Sequence, residues 1–321
     1  MKYSIVIPAY KEVYFQECLE SVLNIKYDDY EVVVLNDCSP ENIKGIVEQC
    51  RLLKHGEKIR YYENEYNIGS VDVVKNWNKL LSLAIGEYIA CIGDDDKVAP
   101  EFFEEYDRMM ERFTDLDVYH ARTYIINERS EIINVQEDRP DWESDYSIIW
   151  HAFMAKRMQF IGDYLFKRET LLKNKGFYNL PMARGSDWVT AIIMAKERGI
   201  VNGHIPVFYY RDNSFSITTN TKGEVLIDAD IKFREWILNY LQKEPIEQLK
   251  QIYRNILIRT IPKQLQKINQ RTISRDIGYS FMRKWFYWFR KHKMYGISTF
   301  QYIKITGWAL LYMSKRIITR K

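Results

Sequence analysis

Short apolar strands alternate with helices through the first hundred residues, and this alternation limits the fold more than any other feature of the sequence. Between the strands, apolar residues recur at helical spacing, and Ser39 is predicted to cap the second helix. Nearly continuous apolar strands are typical of a parallel sheet covered on both faces. We therefore predict an α/β fold with a Rossmann-like, mostly parallel sheet and helices on both faces. The predicted strands are 3–8, 31–37, 58–63 and 87–93.

The rest of the chain changes character twice. Residues 101–223 mix strand-like and helical segments, whereas residues 224–321 are helical and increasingly basic. Residues 224–321 carry 20 Lys and Arg against 7 Asp and Glu, a net charge of +13, and residues 1–223 carry 27 against 36. Such an imbalance indicates an anionic partner for the basic region.

Three consecutive acids, Asp94, Asp95 and Asp96, directly follow the fourth predicted strand. Adjacent carboxylates repel one another unless a cation or a hydrogen-bond donor offsets their charge. A solvated turn is one explanation. However, ligands of open α/β sheets bind beyond the carboxyl ends of the strands, where Asp37 also lies. This convergence favours a site for a ligand and a metal.

Other common sites find no support in the sequence. His120, His151 and His204 are scattered singly, and neither a phosphate-binding P-loop nor a dinucleotide-binding glycine motif is present. The four cysteines show no C-x-x-C spacing, which indicates free thiols in a reducing compartment. The first strand begins at once and Pro8 interrupts it, so no signal peptide is expected. We predict a cytoplasmic protein.

Six motifs follow one another in a recognisable order. They are SIVIPAY, EVVVLNDCSPEN, the N-x-G of Asn67 and Gly69, GEYIACIGDDDKVAPE, GSDW and YYRDNSFSIT. Together, over residues 1–220, they resemble glycosyltransferase family 2, inverting enzymes of the GT-A fold that use nucleotide-diphospho-sugars. The resemblance implies a catalytic domain over 1–223, with a nucleotide-binding half (1–100) and an acceptor-binding half (101–223). A helical extension, 224–321, follows it.

The resemblance also implies a set of residues that bind the nucleotide-sugar. Within it, Pro8, Ala9 and Tyr10 border the nucleoside, Asp37 accepts a hydrogen bond from the base, and Arg211 closes over the diphosphate. An ordinary surface charge is the alternative for Arg211. The sequence departs from the family pattern at Cys38, where the family has glycine. The full set is Pro8, Ala9, Tyr10, Glu12, Asp37, Asn67, Gly69, Asn76, Asn78, Asp94 and Arg211.

Pro100 fixes the register of the acidic cluster against the family pattern D-x-D-D-x-x-x-P, with Gly93 in place of the first acid. The resemblance then implies that Asp95 and Asp96 hold Mn²⁺ or Mg²⁺. Such an ion neutralises the charge that a departing nucleoside diphosphate gains, and hard oxygen ligands suit it.

Asp187 of GSDW matches the acid that the family uses as general base. It would take the proton of the acceptor hydroxyl during a single displacement that inverts the anomeric carbon. Ser186 stands where the family usually has a further acid, and Asn213 stands where it has a histidine. The alternative for Asp187 is a plain residue of a helix's first turn, which the helix dipole favours.

The sequence therefore predicts a metal-dependent, inverting transferase of the hexosyltransferase type. Its donor is a nucleotide-diphospho-sugar, with a UDP-sugar favoured, and its acceptor is a glycan or lipid-linked saccharide of cell-surface polysaccharide synthesis. One alternative is a catalytically degenerate relative that binds glycan or membrane. Another is a sugar nucleotidyltransferase, which would show a glycine-rich loop after the first strand, where PAYKEVYF has no glycine.

The basic region interleaves cations with aromatic residues, as in KWFYWFRKHKMYG (284–296). Its apolar run 297–313 is interrupted by Lys304 and is shorter than the roughly 20 residues of a membrane span. We predict peripheral binding to an anionic membrane at its inner face, with no nucleic-acid partner. A packed helical subdomain or a homodimer interface is the alternative.

Overall fold

The computed structural model describes residues 1–154, 157–213 and 223–319. It divides into two compact units, Met1–Ser214 and Phe215–Lys321. Each unit has its own apolar core. The predicted boundary at residue 223 and the end of the motif YYRDNSFSIT fall in or beside 214–222, which lie outside the described residues.

A ten-stranded sheet runs through the first unit. Its order is β3-β2-β1-β4-β9-β6-β10-β5, with β7 paired to β6 and β8 paired to β10. The strands are β1 (Tyr3–Ala9), β2 (Tyr30–Asn36), β3 (Ile59–Glu63), β4 (Tyr88–Cys91), β5 (Lys97–Val98), β6 (Val118–Ile126), β7 (Ile132–Val135), β8 (Trp142–Glu143), β9 (Tyr164–Lys167) and β10 (Ile200–Arg211).

The first four major strands form the predicted parallel half of the sheet. β1 pairs in parallel with β2 and β4, and β2 pairs in parallel with β3. Ala9 lies beside Asn36, which lies beside Glu63, so these strands end at one edge. Beyond β4 the sheet is mixed, because β9 runs antiparallel to both β4 and β6 while β10 is parallel to β6.

Among the described residues, seven helices cover this sheet. The apolar spacing of α1 is confirmed, because its five apolar residues at that spacing are buried. The predicted cap of α2 is wrong. Asn42 caps that helix by accepting a hydrogen bond from the Gly45 N–H (3.1 Å), while the Ser39 hydroxyl donates to the Tyr10 carbonyl (2.5 Å). The helices are α1 (Phe15–Leu23), α2 (Ile43–Cys50), α3 (Val73–Leu83), α4 (Phe102–Arg112), α5 (Asp145–Phe153), α6 (Arg168–Lys173) and α7 (Ser186–Ala195).

The second unit is helical, as predicted. Its core contains Ile273, Trp288 and Tyr302, and the indole N–H of Trp288 donates to Asp276 at 2.8 Å. None of the helices in the described residues is sufficiently long and apolar to cross a bilayer. The helices are α8 (Gly223–Tyr240), α9 (Gln248–Tyr279), α10 (Phe281–Lys291) and α11 (Thr299–Thr319), with a short 3₁₀ turn at His292–Tyr295.

Candidate active site

Asp94 joins the acidic loop to the loop after β1. Its Oδ2 accepts hydrogen bonds from the backbone N–H groups of Tyr10 (2.7 Å) and Lys11 (2.9 Å). Burial and the neighbouring charge of Asp95 raise the pKa of Asp94 to about 6, while the two N–H groups oppose that rise. The structure thus brings two of the predicted nucleotide-binding segments together through this carboxylate.

In both Asp95 and Asp96, one carboxylate oxygen accepts a hydrogen bond from another part of the protein. Asp95 Oδ2 accepts from the Asn213 amide (2.7 Å), and Asp96 Oδ1 accepts from the Arg211 N–H (2.9 Å). The other two oxygens, Asp95 Oδ1 and Asp96 Oδ2, lie 3.0 and 2.8 Å from the point where a Cβ on Gly93 would stand. Burial and then Asp95 raise the pKa of Asp96 well above its usual range. These two carboxylate oxygens therefore approach Gly93 too closely to leave room for a side chain there.

The two carboxylates are chemically suited to a divalent cation that also binds a phosphate. Mg²⁺ and Mn²⁺ favour carboxylate oxygens, and Mg²⁺ usually takes one or two of them and fills its shell with water and substrate phosphate. Within 1–154, 157–213 and 223–319, no group of three or more His, Cys, Asp or Glu side chains is arranged to hold a metal. The donor set therefore suits an ion that arrives with a diphosphate.

Arg211 is the buried centre of the contacts around the acidic loop, and its side chain is fully buried. Its Nε donates to the Asp95 carbonyl (2.7 Å), and one terminal nitrogen donates to the Asn127 carbonyl (3.1 Å) and the Ser130 hydroxyl (2.9 Å). The other terminal nitrogen donates to Glu17 (2.8 Å). The alternative of a surface charge is wrong. Contact with a diphosphate stays a prediction, since the guanidinium here holds the loop that carries the acids.

Asp37 shapes the loop that contains Asn67 and Gly69. Its Oδ1 accepts from the Asn64 amide (2.6 Å) and the Ile68 N–H (2.8 Å), and its Oδ2 accepts from the Gly69 N–H (2.7 Å). A Cβ on Gly69 would lie only 2.7 Å from that Oδ2, so the close approach requires glycine. Asn67 Oδ1 accepts from the N–H three residues ahead (2.8 Å), which tightens the same turn. The hydrogen bond from Asp37 to a base stays a prediction.

The two predicted asparagines of α3 have different surroundings. Asn76 is buried and its Oδ1 accepts from the Asn64 amide at 3.0 Å, which extends the network of Asp37. Asn78 instead bonds the backbone of Phe177 in both directions, donating to its carbonyl (3.0 Å) and accepting from its N–H (2.7 Å). The structure therefore places Asn76 beside the nucleotide loops, whereas Asn78 fastens α3 to the segment before α7.

The end of β1 and the loop after it present both buried and open groups. Ala9 is buried and its carbonyl accepts from the Asp37 N–H (2.9 Å), whereas Pro8 is partly buried and the Tyr10 ring is exposed. Glu12 accepts from a backbone N–H just before α2 (3.0 Å). Of this predicted group, Tyr10 is the most open to a ligand.

Cys38 occupies a backbone conformation that favours glycine. Its φ is +52°, in the left-handed region that costs a residue with a Cβ about 1–2 kcal/mol. The family pattern has glycine at this position, and the structure supplies the reason. This chain adopts the positive φ with a cysteine in place of the glycine, so its backbone is strained at Cys38.

Asp187 lies in the first turn of α7, as predicted. The turn before it is strained at Met182 and Ala183, whose φ values are +59° and +55°, whereas Gly185 adopts its φ of +84° without steric cost. Buried Ser186 accepts a hydrogen bond from the backbone N–H of residue 180 (3.0 Å), which fixes that turn. Burial, and then the negative charge of Asp163, raise the pKa of Asp187 to about 7. A carboxylate with this pKa can exchange a proton near neutral pH.

Tyr210 connects the two acidic regions electrostatically. Burial first raises its pKa, and the ring stacks on Phe160 with centroids 3.6 Å apart. The negative charges that raise it further are those of Asp96, Asp95, Asp212 and Asp187. The charges of the acidic loop and of Asp187 thus both act on this one phenol. The alternating aromatics of the β10 sequence were the available signal for Tyr210.

Sequence reasoning missed three other residues of the site, Glu17, Asn64 and Ser130. Glu17 and Ser130 hold the Arg211 guanidinium, and Asn64 bridges Asp37 and Asn76. Each is an ordinary polar residue in sequence. Only the folded chain shows what they contact.

The sequence matches the family model of glycosyl transferase family 2 over residues 4–180. The chain belongs to glycosyltransferase family 2. An uncharacterized glycosyltransferase of Methanocaldococcus jannaschii is 26% identical over 196 residues, which are 59% of this chain and 64% of that protein. The putative teichuronic acid biosynthesis glycosyltransferase TuaG of Bacillus subtilis is 32% identical over 111 residues, 34% of this chain and 42% of that one.

These family 2 relatives are matched over less than two thirds of their own length. The solved structure of S. aureus TarS 1–349 in complex with UDP-GlcNAc is similar over 99% of this chain and 83% of that one, with a TM-score of 0.64 and 17% identity. That likeness shows the predicted GT-A type of fold, including a helical C-terminal region.

Proposed function

We propose that this chain is a metal-dependent, inverting hexosyltransferase. It transfers a sugar from a nucleotide-diphospho-sugar, with a UDP-sugar favoured, to a glycan or lipid-linked saccharide in cell-surface polysaccharide synthesis. The observation that carries the proposal is the hydrogen bonding that joins the segments of the family motifs: Asp94 bonds the backbone of Tyr10, Asp37 bonds Gly69 and Asn213 bonds Asp95. The UDP-GlcNAc complex of TarS and the teichuronic acid pathway of TuaG support the donor and the acceptor class.

In this proposal the catalytic domain is 1–223, with 1–100 binding the nucleotide and 101–223 the acceptor, and 224–321 is an extension. Asp95 and Asp96 would hold Mn²⁺ or Mg²⁺ through their two oxygens beside Gly93. Such a cation supplies charge neutralisation to a departing nucleoside diphosphate.

The nucleotide is bordered by loops that the protein has already shaped. Asp94 holds the backbone of Tyr10 against the acidic loop, and Asp37 fixes the turn of Gly69. Because these polar groups are bonded before a ligand arrives, little conformational entropy remains to be lost on binding. Tyr10 then offers the exposed ring of this edge to the nucleoside.

Asp187 acts as the general base. Its raised pKa lets the carboxylate accept the proton of a sugar hydroxyl near neutral pH. The hydroxyl oxygen attacks the anomeric carbon from the side opposite the diphosphate, and the bond to the diphosphate breaks. One displacement inverts the anomeric centre. Arg211 has a positioning role in this scheme, because its Nε donates to the Asp95 carbonyl and so holds the acidic loop.

The second unit is proposed to lie on an anionic membrane, at its inner face. Large apolar side chains, among them Phe286, Phe300 and Trp308, are exposed on α10 and α11. The residues after Asp276 include Lys and Arg but no acid. Aromatic rings at headgroup depth with cations on lipid phosphates complement such a surface.

Sedimentation with vesicles tests the membrane proposal. We expect the protein to sediment with phosphatidylglycerol vesicles but not with phosphatidylcholine vesicles. If the double variant Phe286→Ser/Phe300→Ser still sediments with the phosphatidylglycerol vesicles, the membrane proposal is contradicted.

Thermal stabilisation by nucleotides tests the transferase proposal. Full-length protein is heated with UDP, GDP, ADP and CDP, each with and without Mn²⁺. We expect one diphosphate to raise the melting temperature only when Mn²⁺ is present, and the matching nucleotide-sugar to be hydrolysed slowly. No shift with any nucleotide would favour the degenerate relative that binds glycan or membrane without turnover.

A further inference from the structure

Glu17 of α1 accepts hydrogen bonds from three separate parts of the first unit. Its Oε1 accepts from the Lys97 ammonium of β5 (2.5 Å) and from the Ser130 hydroxyl (2.7 Å), and its Oε2 accepts from Arg211 at the end of β10 (2.8 Å). Burial tends to raise the pKa of Glu17, but the hydrogen bonds from Lys97 and Ser130 and the charges of Lys97 and Arg211 lower it overall. Glu17 is therefore an ionised carboxylate, and the transferase proposal gives it no role.

The Arg211 guanidinium carries its positive charge in a buried position. Arginine does not lose its proton in proteins, so a buried guanidinium needs a counter-charge. Its Nε donates to the Asp95 carbonyl and its backbone N–H donates to Asp96, which places the charge directly beside the acidic loop. The carboxylate that pairs with the guanidinium, however, belongs to Glu17.

The acidic loop and Arg211 would interfere with each other if Glu17 were uncharged. The carboxylates of Asp95 and Asp96 would then be the available counter-charges for the guanidinium. A guanidinium paired with them would oppose a divalent cation in two ways, because it repels the cation and takes up carboxylate oxygens. Neutralisation of Arg211 from elsewhere is therefore a condition for cation binding at this loop.

We propose that Glu17 is a positioning residue of the metal site. It neutralises Arg211 and so leaves the carboxylates of Asp95 and Asp96 to the cation, while the guanidinium continues to hold the Asp95 backbone. This role rests on the proposed metal site of the transferase. It assigns a function to a residue of α1 that lies outside the six family motifs.

Mn²⁺ binding by the full-length protein, followed by the electron paramagnetic resonance signal of the free ion, tests this role. Glu17→Gln should weaken Mn²⁺ binding about tenfold, because a guanidinium without its counter-charge is left beside the acidic loop. Glu17→Asp keeps the negative charge and should restore the affinity to within about threefold of that of the unchanged protein. Glu20→Gln is the matched control, since Glu20 is an exposed acid of the same helix that accepts a hydrogen bond from Gln16 (2.8 Å).

Removal of the guanidinium separates neutralisation from a merely structural role of Glu17. In the Arg211→Met background no buried charge needs a partner, so the added Glu17→Gln change should alter Mn²⁺ affinity less than about twofold. A tenfold loss in that background would contradict the proposal. If Arg211→Met does not fold, the comparison of Glu17→Gln with Glu17→Asp decides, and equal losses in these two variants would contradict it.

The outcomes distinguish this role from the transferase proposal. Unchanged Mn²⁺ affinity in Glu17→Gln, or equal losses in Glu17→Gln and Glu20→Gln, would overturn the role of Glu17 and leave the transferase proposal intact. No Mn²⁺ binding by the unchanged protein at millimolar Mn²⁺, either alone or with UDP, would overturn the metal site itself and the role of Glu17 with it.

Discussion

The acidic loop after β4 and the start of α7 both present aspartates with raised pKa values, but the protein places them differently. Asp94, Asp95 and Asp96 each accept a hydrogen bond from a group far away in sequence. Asp187 follows a turn of left-handed residues and is placed by its local backbone. The first arrangement, proposed as the binding site, is fixed by tertiary contacts, and the second, proposed as the general base, is placed by a strained turn.

The largest effect should come from mutating one aspartate in each of the two regions and comparing the results. Asp187→Asn is expected to lower Mn²⁺-dependent hydrolysis of the donor about 10³-fold, because the proton acceptor is lost, and to leave donor-induced stabilisation intact. Asp95→Ala should abolish that stabilisation. Rates of nucleoside diphosphate release and melting temperatures measure both, with exposed Asp28→Ala as control. Equal loss of donor binding in Asp187→Asn and Asp95→Ala would refute the division of roles.

Arg211 tests whether tertiary contacts really fix the acidic loop. Arg211→Met should lower the free energy of unfolding by about 3 kcal/mol, since loss of the buried guanidinium takes a donor from Glu17 and from three other acceptors. Urea unfolding measures the change. The exposed Arg51, which pairs with Glu48 one turn away and makes a long hydrogen bond to the Ile59 carbonyl (3.5 Å), provides Arg51→Met as control, with an expected loss below about 0.5 kcal/mol. Similar losses in both variants would contradict the assignment.

The pH dependence of the rate examines Asp187 without mutation. Because its pKa is raised to about 7 and the base must be deprotonated, the rate should fall about tenfold per pH unit below 7. Between pH 4 and 7 the folded state binds this proton and the unfolded state does not, so its contribution to stability decreases as pH rises. A rate profile from pH 5 to 9 suffices. An acid limb with the same midpoint in the residual activity of Asp187→Asn would exclude Asp187 as its source.

The smallest effect concerns the strained turn before α7. Ala183→Gly should raise the free energy of unfolding by about 1 kcal/mol, because glycine adopts a φ of +55° without steric cost. Ala191→Gly, inside α7, should lower it by about 1 kcal/mol or more. Thermal unfolding compares the two. A loss of stability in Ala183→Gly would show that the turn is not strained at this residue.

Local patterns predicted the parallel strands, α1 and the position of Asp187, because periodicity and helix position are properties of neighbouring residues. The cap of α2 was misplaced because Ser39 finds a partner in the loop after β1 instead. The burial of Arg211 could not be predicted. Its partner Glu17 is 194 residues away, and nothing near either residue indicates the contact.

The bond of Asn78 with Phe177 has a mechanical consequence. Asp72, which caps α3 through the Lys75 N–H (2.9 Å), also accepts from the Asn179 amide (2.7 Å). The segment leading to Asp187 is thus hydrogen-bonded to α3 at two positions, Asp72 and Asn78. These bonds resist movement of that segment relative to the helix. A shift of α3 when a donor binds would therefore also move the segment that carries the proposed base.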